Sequence, residues 1–536
     1  MAPTLATGDF ATELAQLRER AGDVAASLGR AAETLRTLGR ERAILRLLGV
    51  GGIDREGRPL AAEVVDRYVG GRQDHLASGI ALPFAMALHV YDAPPQQLAL
   101  DVAAGTVDLA MEAELLATPG RRAEAEALLA RLLDAAVERI DANRTARHEL
   151  LAVLGDRDPP WIGTTLLELG TVDAIAEAAD FVRAGADLVR VEVPVGRELA
   201  FHLGEPGREA LAAHLAANGE PDPSPTGSQR GLGRLRSGLD AAAAERGAYV
   251  RLLTVPAPLA APEGSIVAAF ERADILELDP MAEIIETGVD PERALADFSF
   301  AAQVVRRAGT TVLIGAGPPV VAPDLDAGVA TDPATRAGRS LALQLLAVAL
   351  AARHGLAGEA VVIGAVPGWV VDEPDAAARA AAGVALRRAL MPGHPLAFVE
   401  PRSHDVRGRW AEIVAAVMPG LGTALVIRRP HVGVAFESGF AAVAASTHAA
   451  AQVARELDAA LGRRDLTGIA REHAAGSIAS ATLTLERLAT DGWAALTGAA
   501  SEHPGRSRLG GDAVAPAADR VDPVVSALEI VPPGGA

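Results

Sequence analysis

The sequence predicts a TIM (β/α)8 barrel with an N-terminal helical accessory region and a C-terminal helical extension. Three observations support this fold class: helical periodicity up to about residue 155, alternation of short β-rich runs with helical patterns from 160, and renewed helical periodicity after 437. Alternating strands and helices imply parallel βαβ units, and eight such units fit a barrel. The predicted domains are therefore an accessory region (1–155), the barrel (156–436) and C-terminal helices with an extended tail (437–536).

The accessory region contains periodic apolar segments, which predict helices. They cover about 9–38, 40–49, 61–69, 76–90, 95–104 and 121–154. Within the second, the stretch ERAILRLLGVGGID (41–54) reads as an amphipathic helix that ends at Gly51-Gly52. Its leucines and isoleucine predict one buried face, and Arg42 and Arg46 predict a charged edge.

Eight short runs rich in β-branched and aliphatic residues predict the strands. They are WIGTTLLELG (161–170), ADLVRVEVP (186–194), YVRLLTVP (249–256), ADILELDP (273–280), TTVLIGAGPP (310–319), EAVVIGAVPG (359–368), HPLAFVEP (394–401) and TALVIRRP (423–430). Most end in Gly or Pro and precede a helical pattern. A doubly wound sheet is the structural alternative, although no GxGxxG fingerprint follows the first strand.

The C-terminal part is predicted to be helical from about 437 to 499. Residues 500–523 are rich in Gly, Pro, Ser and Arg, which predicts an extended or mobile segment. The last apolar piece, VDPVVSALEI (521–530), is predicted to dock on the rest of the chain.

Composition excludes several classes of function. The formal net charge of −19 argues against a nucleic-acid binder and against attraction to an anionic membrane surface. No apolar run is long enough to cross a membrane, and the N-terminus lacks a signal-peptide pattern, so a soluble cytoplasmic protein is expected. The chain contains no cysteine and no lysine, because its 50 basic residues are all arginine. It therefore has no thiolate for a metal or a nucleophile, and no lysine to anchor pyridoxal phosphate covalently.

Charged residues at the predicted strands give the candidate pocket, because TIM-barrel sites lie at the C-terminal ends of strands. Arg190 and Glu192 share one face of their strand by the two-residue period, and Glu277 and Asp279 share a face at the end of another. Arg251 is the charged residue of the strand between them. Such charges are costly unless paired. They predict either a polar substrate or cofactor pocket, or a structural ion-pair network.

Two glycine-rich turns are further candidates. The turn IGAGPP (314–319), with Gly315 and Gly317, and the turn MPGLGT (418–423) have backbone N–H groups that could bind a phosphate. Plain strand-to-helix turns explain the same glycines. The twelve histidines are scattered and no pair has metal-ligand spacing, so no metal site is predicted.

An ordered series of segments resembles one known family. The segments are ERAILRLLGVGGID (41–54), PPQQLALDVAAGTVDL (94–109), VERIDANRTAR (137–147), FVRAGADLVRV (181–191), GAYVRLL (247–253), PEGSIVAAFERADIL (262–276) and DPVVSALEI (522–530). Together they resemble the large (alpha) subunit of lysine 5,6-aminomutase. The resemblance implies a TIM barrel with a helical accessory region, and radical 1,2-migration of an amino group on lysine or a related amino acid.

The resemblance also implies cofactors and a partner. Adenosylcobalamin would be held mainly by a small beta subunit with a Rossmann-like domain, whose DxHxxG motif is absent from this chain. That subunit would also supply the lysine for pyridoxal phosphate, so a hetero-oligomer is expected.

The positions that contact pyridoxal phosphate in the family differ in this sequence. The phosphate-binding segment is replaced by VPVGRE (193–198), in which Arg197 is displaced from the expected place and Glu198 would repel a phosphate. Other expected contacts align with Ala257, Ala282, Thr287 and Gly317. The family has apolar residues where Glu192 and Glu277 stand, which suggests a rebuilt pocket. Three hypotheses follow: an aminomutase subunit, a cobalamin-dependent isomerase subunit that has lost pyridoxal phosphate and acts on another substrate, and a non-catalytic scaffold.

Overall fold

The computed structural model describes residues 10–52, 59–157, 161–166, 172–192, 225–256, 259–286, 288–315, 332–364, 376–399, 424–428, 466–493, 514–518 and 522–529. Every structural feature below lies within these ranges. Sequence predictions that fall on other residues, such as those for 437–465 and for the turn at 418–423, lie outside them.

The N-terminal part is helical, as predicted, with one short strand. Its elements are α1 (Ala11–Glu33), β1 (Leu35–Thr37), α2 (Leu38–Leu47), α3 (Leu60–Val69), α4 (Gln73–Ser78), α5 (Ala81–Tyr91), α6 (Pro95–Ala103), α7 (Leu109–Leu115) and α8 (Pro119–Leu154). The single helix predicted over 9–38 is wrong, because β1 interrupts it. Thr37 ends β1 and caps α2, since its side chain accepts a hydrogen bond from the Arg40 N–H.

Eight parallel strands close into a barrel, which confirms the predicted fold class. The strands are β2 (Trp161–Leu166), β3 (Leu188–Glu192), β4 (Arg251–Val255), β5 (Ile275–Glu277), β6 (Thr311–Ile314), β7 (Val361–Gly364), β8 (Leu396–Val399) and β9 (Ala424–Arg428). They pair in chain order, and β2 also pairs with β9 to complete the ring. Closure rules out the doubly wound sheet.

Helices surround the barrel between the strands. They are α9 (Val172–Arg183), α10 (Pro225–Arg246), α11 (Ala261–Phe270), α12 (Pro280–Glu286), α13 (Pro291–Ala308), α14 (Pro333–Arg353) and α15 (Ala376–Leu390). Both α13 and α14 begin with a proline after an aspartate, and Asp290 and Asp332 accept hydrogen bonds from the first free N–H groups of these helices. None of the helices in the described ranges is long and apolar enough to span a membrane.

Side chains of the strands alternate between the barrel lumen and the helix layer. One apolar cluster fills the lumen, with members Leu188, Leu253, Ile275, Leu313, Val362 and Ala397. The residues next to them, such as Val189 and Leu252, belong to the core between strands and helices. The two-residue period therefore places Thr165, Arg190 and Glu277 on the lumen side.

The long helix α8 attaches the accessory region to the N-terminal end of the barrel. Arg147, which is buried, donates hydrogen bonds to the carbonyls of Ala273 (3.0 Å), Ala308 (2.6 Å) and Gly309 (2.7 Å). Asn143 donates to two carbonyls at the end of α11. These side chains satisfy carbonyls that helix termini and strand approaches leave open. The segment VERIDANRTAR thus has a structural role in domain docking.

Helix α2 is buried on every side, which corrects the predicted charged edge. Arg42 and Arg46 are 2% and 4% exposed, because α2 lies between other accessory helices and the barrel helix α11. Arg46 Nε donates to Glu263 Oε1 of α11 at 2.9 Å, and Arg42 lies 3.7 Å from Asp66. Buried arginines need such carboxylates, because unpaired charges are unfavourable in the interior.

The C-terminal segments return to both parts of the molecule. They are α16 (Leu466–Asp491), β10 (Val514–Pro516) and α17 (Pro523–Leu528). Helix α16 packs on α1, α14 and α15. Strand β10 pairs antiparallel with β1, and α17 buries Val524 and Leu528 against α8 and α13. The predicted docking of the last apolar piece is therefore confirmed.

Candidate active site at the C-terminal end of the barrel

An ion pair crosses the upper lumen of the barrel from β3 to β5. Arg190 donates from Nε (3.2 Å) and Nη2 (3.0 Å) to one carboxylate oxygen of Glu277, Oε2. The Arg190 side chain is 2% exposed and that of Glu277 is 15% exposed. The pair spans β4, whose lumen-facing Leu253 and Val255 lie between the two strands. The structure thus brings together two of the residues that the sequence placed in a pocket.

A buried hydroxyl on the neighbouring strand β2 was missed by the sequence analysis. Thr165 of β2 is the register partner of Arg190 on β3, so both occupy the same level of the lumen. Its Oγ1 is buried and has no hydrogen-bond partner among the residues that the structure describes. A buried hydroxyl without a partner is unfavourable, and a ligand could satisfy it. The two-residue period from Trp161 would have placed this residue in the lumen.

Asp279 joins the end of β5 to the end of β6. Its Oδ1 accepts hydrogen bonds from the N–H groups of Met281 (3.0 Å) and Ala282 (3.2 Å), and so caps α12. Its Oδ2 accepts from the Gly315 N–H at 2.7 Å. Burial raises the pKa of Asp279, against the opposing effect of these three N–H groups. Since Asp279 takes the Gly315 N–H, that donor does not serve a phosphate, which corrects the phosphate-binding interpretation at this position.

Gly315 is required at the end of β6 for two reasons. Its φ is +74°, a conformation that side chains with a Cβ rarely adopt. A Cβ there would also lie 2.0 Å from Nε2 of Gln344. Gln344 cannot move freely, because its Nε2 donates to the Gly364 carbonyl at 3.0 Å and its Oε1 accepts from Arg387 Nε at 2.8 Å. This glycine therefore keeps the ends of β6 and β7 in place.

Replacing Gly315 by alanine is expected to destabilise the protein by roughly 2–3 kcal/mol, from backbone strain plus displacement of Gln344. The control is Gly71→Ala, because Gly71 has a similar φ of +76° with nothing near the added Cβ. That control should cost only the strain, roughly 1–2 kcal/mol. Urea unfolding of both variants measures the difference, and equal losses would show that the contact with Gln344 is unimportant.

Arg251 lies at the opposite end of the barrel, which corrects its inclusion in the pocket. It is the first residue of β4, and its Nη1 donates to Asp156 Oδ1 at 2.8 Å. Its guanidinium lies 3.3 Å from the centroid of the Trp161 ring, and Trp161 is the first residue of β2. This arrangement belongs to the N-terminal face, where structural interactions predominate in TIM barrels.

Three other candidates cannot be placed. Glu192 is the last residue of β3, but its side chain lies outside the described part of the structure. Arg197 and Gly317 lie wholly outside it. Their predicted roles in the pocket remain predictions.

Behind the site, a carboxyl group with a raised pKa faces α13. Burial raises the pKa of Glu283 to about 8, and Asp297 and Asp279 add to the effect while Arg293 opposes it. Asp297 in turn accepts hydrogen bonds from Arg293 and from Thr37 of the accessory region. The group of carboxyl side chains formed by Asp279, Glu283 and Asp297 therefore extends from the end of β5 to the interface with the accessory region.

The raised pKa of Glu283 makes stability depend on pH. The folded protein retains a proton that the unfolded chain releases above its ordinary pKa of 4.5. This contribution is therefore fully present below about pH 4.5 and is lost as pH rises through the folded pKa of about 8. Glu283→Gln should melt at a higher temperature than the wild type at pH 9, with the difference vanishing below pH 5. Calorimetric melting from pH 4.5 to 9 measures this, and a constant difference would contradict it.

The geometry can now be compared with known proteins. The family described as "D-Lysine 5,6-aminomutase TIM-barrel domain of alpha subunit" matches residues 11–417. This match covers the accessory helices and most of the barrel. The chain belongs to this family. The resemblance found in the sequence is thereby confirmed.

A curated relative in the aminomutase family agrees with this assignment. The lysine 5,6-aminomutase alpha subunit of Acetoanaerobium sticklandii is 26% identical over 269 residues, which are 50% of this chain and 49% of the relative. The chain thus aligns with about half the length of that protein.

Solved structures show weaker likeness. A Rubisco-like protein from Rhodopseudomonas palustris has a TM-score of 0.31 at 11% identity, covering 56% of this chain and 66% of that one. The tryptophan synthase alpha chain of Legionella pneumophila subsp. pneumophila has a TM-score of 0.27 at 12% identity, covering 66% and 98%. Likeness at this level carries no argument about the site.

In the described part of the site, the hydrogen-bond donors of this aminomutase-family barrel are not available to bind the phosphate of pyridoxal phosphate. Arg190 is paired with Glu277, and the Gly315 N–H donates to Asp279. The two carboxylates would repel a phosphate dianion at the same barrel end. We therefore assign no residue described here to this cofactor.

Proposed function

We propose that this chain is the large subunit of an adenosylcobalamin-dependent aminomutase, which moves an amino group between adjacent carbons of lysine or a related amino acid. The observation that carries the proposal is the family match over residues 11–417. The polar lumen supports it, because Arg190, Glu277 and Thr165 lie where TIM-barrel enzymes bind their substrates.

The barrel would contribute shielding and orientation. Its lumen contains the apolar cluster to which Leu188 and Leu313 belong, and Trp161 and Arg251 lie at the N-terminal end. A substrate would enter from the C-terminal end, where TIM-barrel sites lie, and meet these apolar side chains beside the ion pair. Excluding water in this way protects reactive intermediates, and the fixed Arg190–Glu277 pair would orient a polar substrate.

A partner is part of the proposal. Adenosylcobalamin supplies radical chemistry when bound, and a small beta subunit with a cobalamin-binding Rossmann-like domain would hold it over the barrel. In the described ranges of this chain, no group of three His, Asp or Glu side chains is placed to hold a metal ion. The expected assembly is a hetero-oligomer of large and small subunits.

The test is reconstitution with the product of the adjacent open reading frame as the candidate small subunit. The purified complex is incubated with adenosylcobalamin, pyridoxal phosphate and D-lysine, and products are followed by NMR, with L-lysine and D-ornithine as alternative substrates. A rearranged diamino acid is expected only in the presence of both chains. A neighbouring chain without a cobalamin-binding DxHxxG motif, together with no product from any of the three amino acids, would overturn the proposal.

A second candidate is a cobalamin-dependent isomerase subunit that no longer uses pyridoxal phosphate. The observation in its favour is the presence of two carboxylates, Glu277 and Asp279, whose negative charge opposes the binding of a phosphate. Adding pyridoxal phosphate to the complex and recording the visible spectrum separates the two candidates. An absorption band of protein-bound cofactor would reject this second candidate, and no band at saturating cofactor would favour it.

A further inference from the structure

We propose that Glu277 binds an ammonium group of the substrate directly through Oε1, with the Thr165 hydroxyl as a second polar contact and Arg190 as the residue that positions the carboxylate. This inference rests on the proposed function, since it names how an amine-bearing substrate would be recognised in the lumen. It assigns the recognition of a primary ammonium group on an aliphatic chain to Glu277, which the sequence patterns placed only in a candidate pocket.

The first argument is that the two oxygens of the Glu277 carboxylate differ in their hydrogen-bond partners. Both hydrogen bonds from Arg190 go to Oε2, from Nε and from Nη2. Among the residues that the structure describes, none donates to Oε1. The side chain keeps 15% exposure, and Oε1 is not among the buried polar atoms that lack a partner, so a ligand can reach it. A carboxylate held by arginine at one oxygen and open at the other is a fixed acceptor for a charged N–H donor.

The second argument is the buried Thr165 hydroxyl. Thr165 and Arg190 are register partners on neighbouring strands, so their side chains leave the sheet at the same level of the lumen. Its Oγ1 is buried, and no residue in the described part of the chain is hydrogen-bonded to it. A protein retains such an atom at a cost of about 1–3 kcal/mol unless a ligand satisfies it. A substrate bound at Glu277 would lie within the same part of the lumen and could do so.

The third argument is charge and shape. The described carboxylates at this end of the barrel are Glu277 and Asp279, and the described guanidiniums are those of Arg190, which pairs with Glu277, and Arg387, which donates to the Gly364 carbonyl at the end of β7. Both carboxylate oxygens of Asp279 accept hydrogen bonds from backbone N–H groups, three in all. Glu277 is therefore the carboxylate that can accept a hydrogen bond from a ligand. Leu253 and Val255 form an apolar wall between β3 and β5, which suits the methylene groups of an aliphatic amine.

The experiment measures binding to the full chain by calorimetry, with three probes. The probes are D-lysine, 1,5-diaminopentane, which has ammonium groups but no carboxylate, and hexanoate, which has a carboxylate but no ammonium group. D-Lysine and 1,5-diaminopentane are expected to bind, and hexanoate is not. In Glu277→Gln the affinity for both amines should fall by roughly 10-fold to 100-fold, the loss expected for a charge-assisted hydrogen bond.

Two more variants provide a second test of the site and a control. Thr165→Val keeps the side-chain shape and removes a buried hydroxyl, so it should fold at least as stably as the wild type while binding the amines several-fold more weakly. Asp156→Asn breaks a comparable arginine–carboxylate pair at the other end of the barrel, and amine affinity should not change. Unchanged amine affinity in both Glu277→Gln and Thr165→Val, or binding of hexanoate equal to that of 1,5-diaminopentane, would overturn the inference.

Failure of this inference differs from failure of the proposed function. Turnover by the reconstituted complex together with unchanged amine affinity in Glu277→Gln would reject only the role of Glu277. Amine binding that depends on Glu277, without rearranged product in the complex, would reject the aminomutase reaction and leave the ammonium site in place.

Discussion

Arg46→Met is expected to lower the free energy of unfolding by about 3–5 kcal/mol, because it leaves the Glu263 carboxylate buried without its arginine. Arg46 and Glu263 are 4% and 3% exposed, and they join α2 of the accessory region to α11 of the barrel. Urea unfolding followed by circular dichroism measures the loss. The same variant should also make the two regions unfold at more separated urea concentrations, since the pair connects them.

The double variant Arg46→Met/Glu263→Leu provides the control. Replacing both partners by apolar residues leaves no buried charge, so most of the lost stability should return. This recovery is favoured here because Nη1 and Nη2 of Arg46 are buried and have no hydrogen-bond partner within the described ranges. A double variant that is as unstable as Arg46→Met would show that packing at this contact matters more than the unpaired charge.

Arg147→Ala is the second large effect that we expect. Arg147 donates to three carbonyls at the N-terminal end of the barrel, next to β5 and β6, and the substitution leaves these groups without that donor. Loss of several charge-assisted hydrogen bonds should destabilise the protein by about 3–5 kcal/mol. Thermal unfolding by calorimetry measures the change.

The neighbouring Arg144 supplies the matched control on the same helix. It makes one hydrogen bond to a carbonyl, that of Arg307, at 3.1 Å, and its side chain is 33% exposed. Arg144→Ala should therefore cost less than about 1 kcal/mol. Equal effects of the two substitutions would argue that general charge loss, rather than capping of the carbonyls by Arg147, stabilises this junction.

The strands and their inward faces could be predicted from the sequence, because the alternation of strand and helix and the two-residue period are local properties. The two-residue period of the strands correctly places the side chains of Arg190 and Glu277 on the lumen side of the barrel. It did not give the height of a residue along the barrel axis, so Arg251, the first residue of β4, was grouped with residues at the other end. Height depends on where each strand begins, which sequence patterns fix less sharply.

Tertiary partners explain the other differences. Arg42 and Arg46 look like the solvent-facing edge of an amphipathic helix, since charged side chains usually lie outside. Their burial depends on carboxylates elsewhere, and Glu263 is 217 residues away in the chain. The hydrogen bond from Gly315 to Asp279 likewise joins two strand ends and has no local signature. The Thr165 hydroxyl was overlooked because a single threonine in a strand is unremarkable by composition.

The pairing of β1 with β10 has a consequence for how the protein folds. Leu35 lies opposite Pro516, so the contact closes a loop that contains the whole barrel. Contacts between such distant residues form slowly, because the entropy of loop closure must be overcome first. During synthesis, β1 has no partner strand until residue 516 has been made. The ion pairs of Arg36 and Arg40 with Asp522 likewise cannot form until residue 522 has been made. Protection of the β1 amides from hydrogen exchange should therefore be among the last events of folding, and it would report that the barrel is complete.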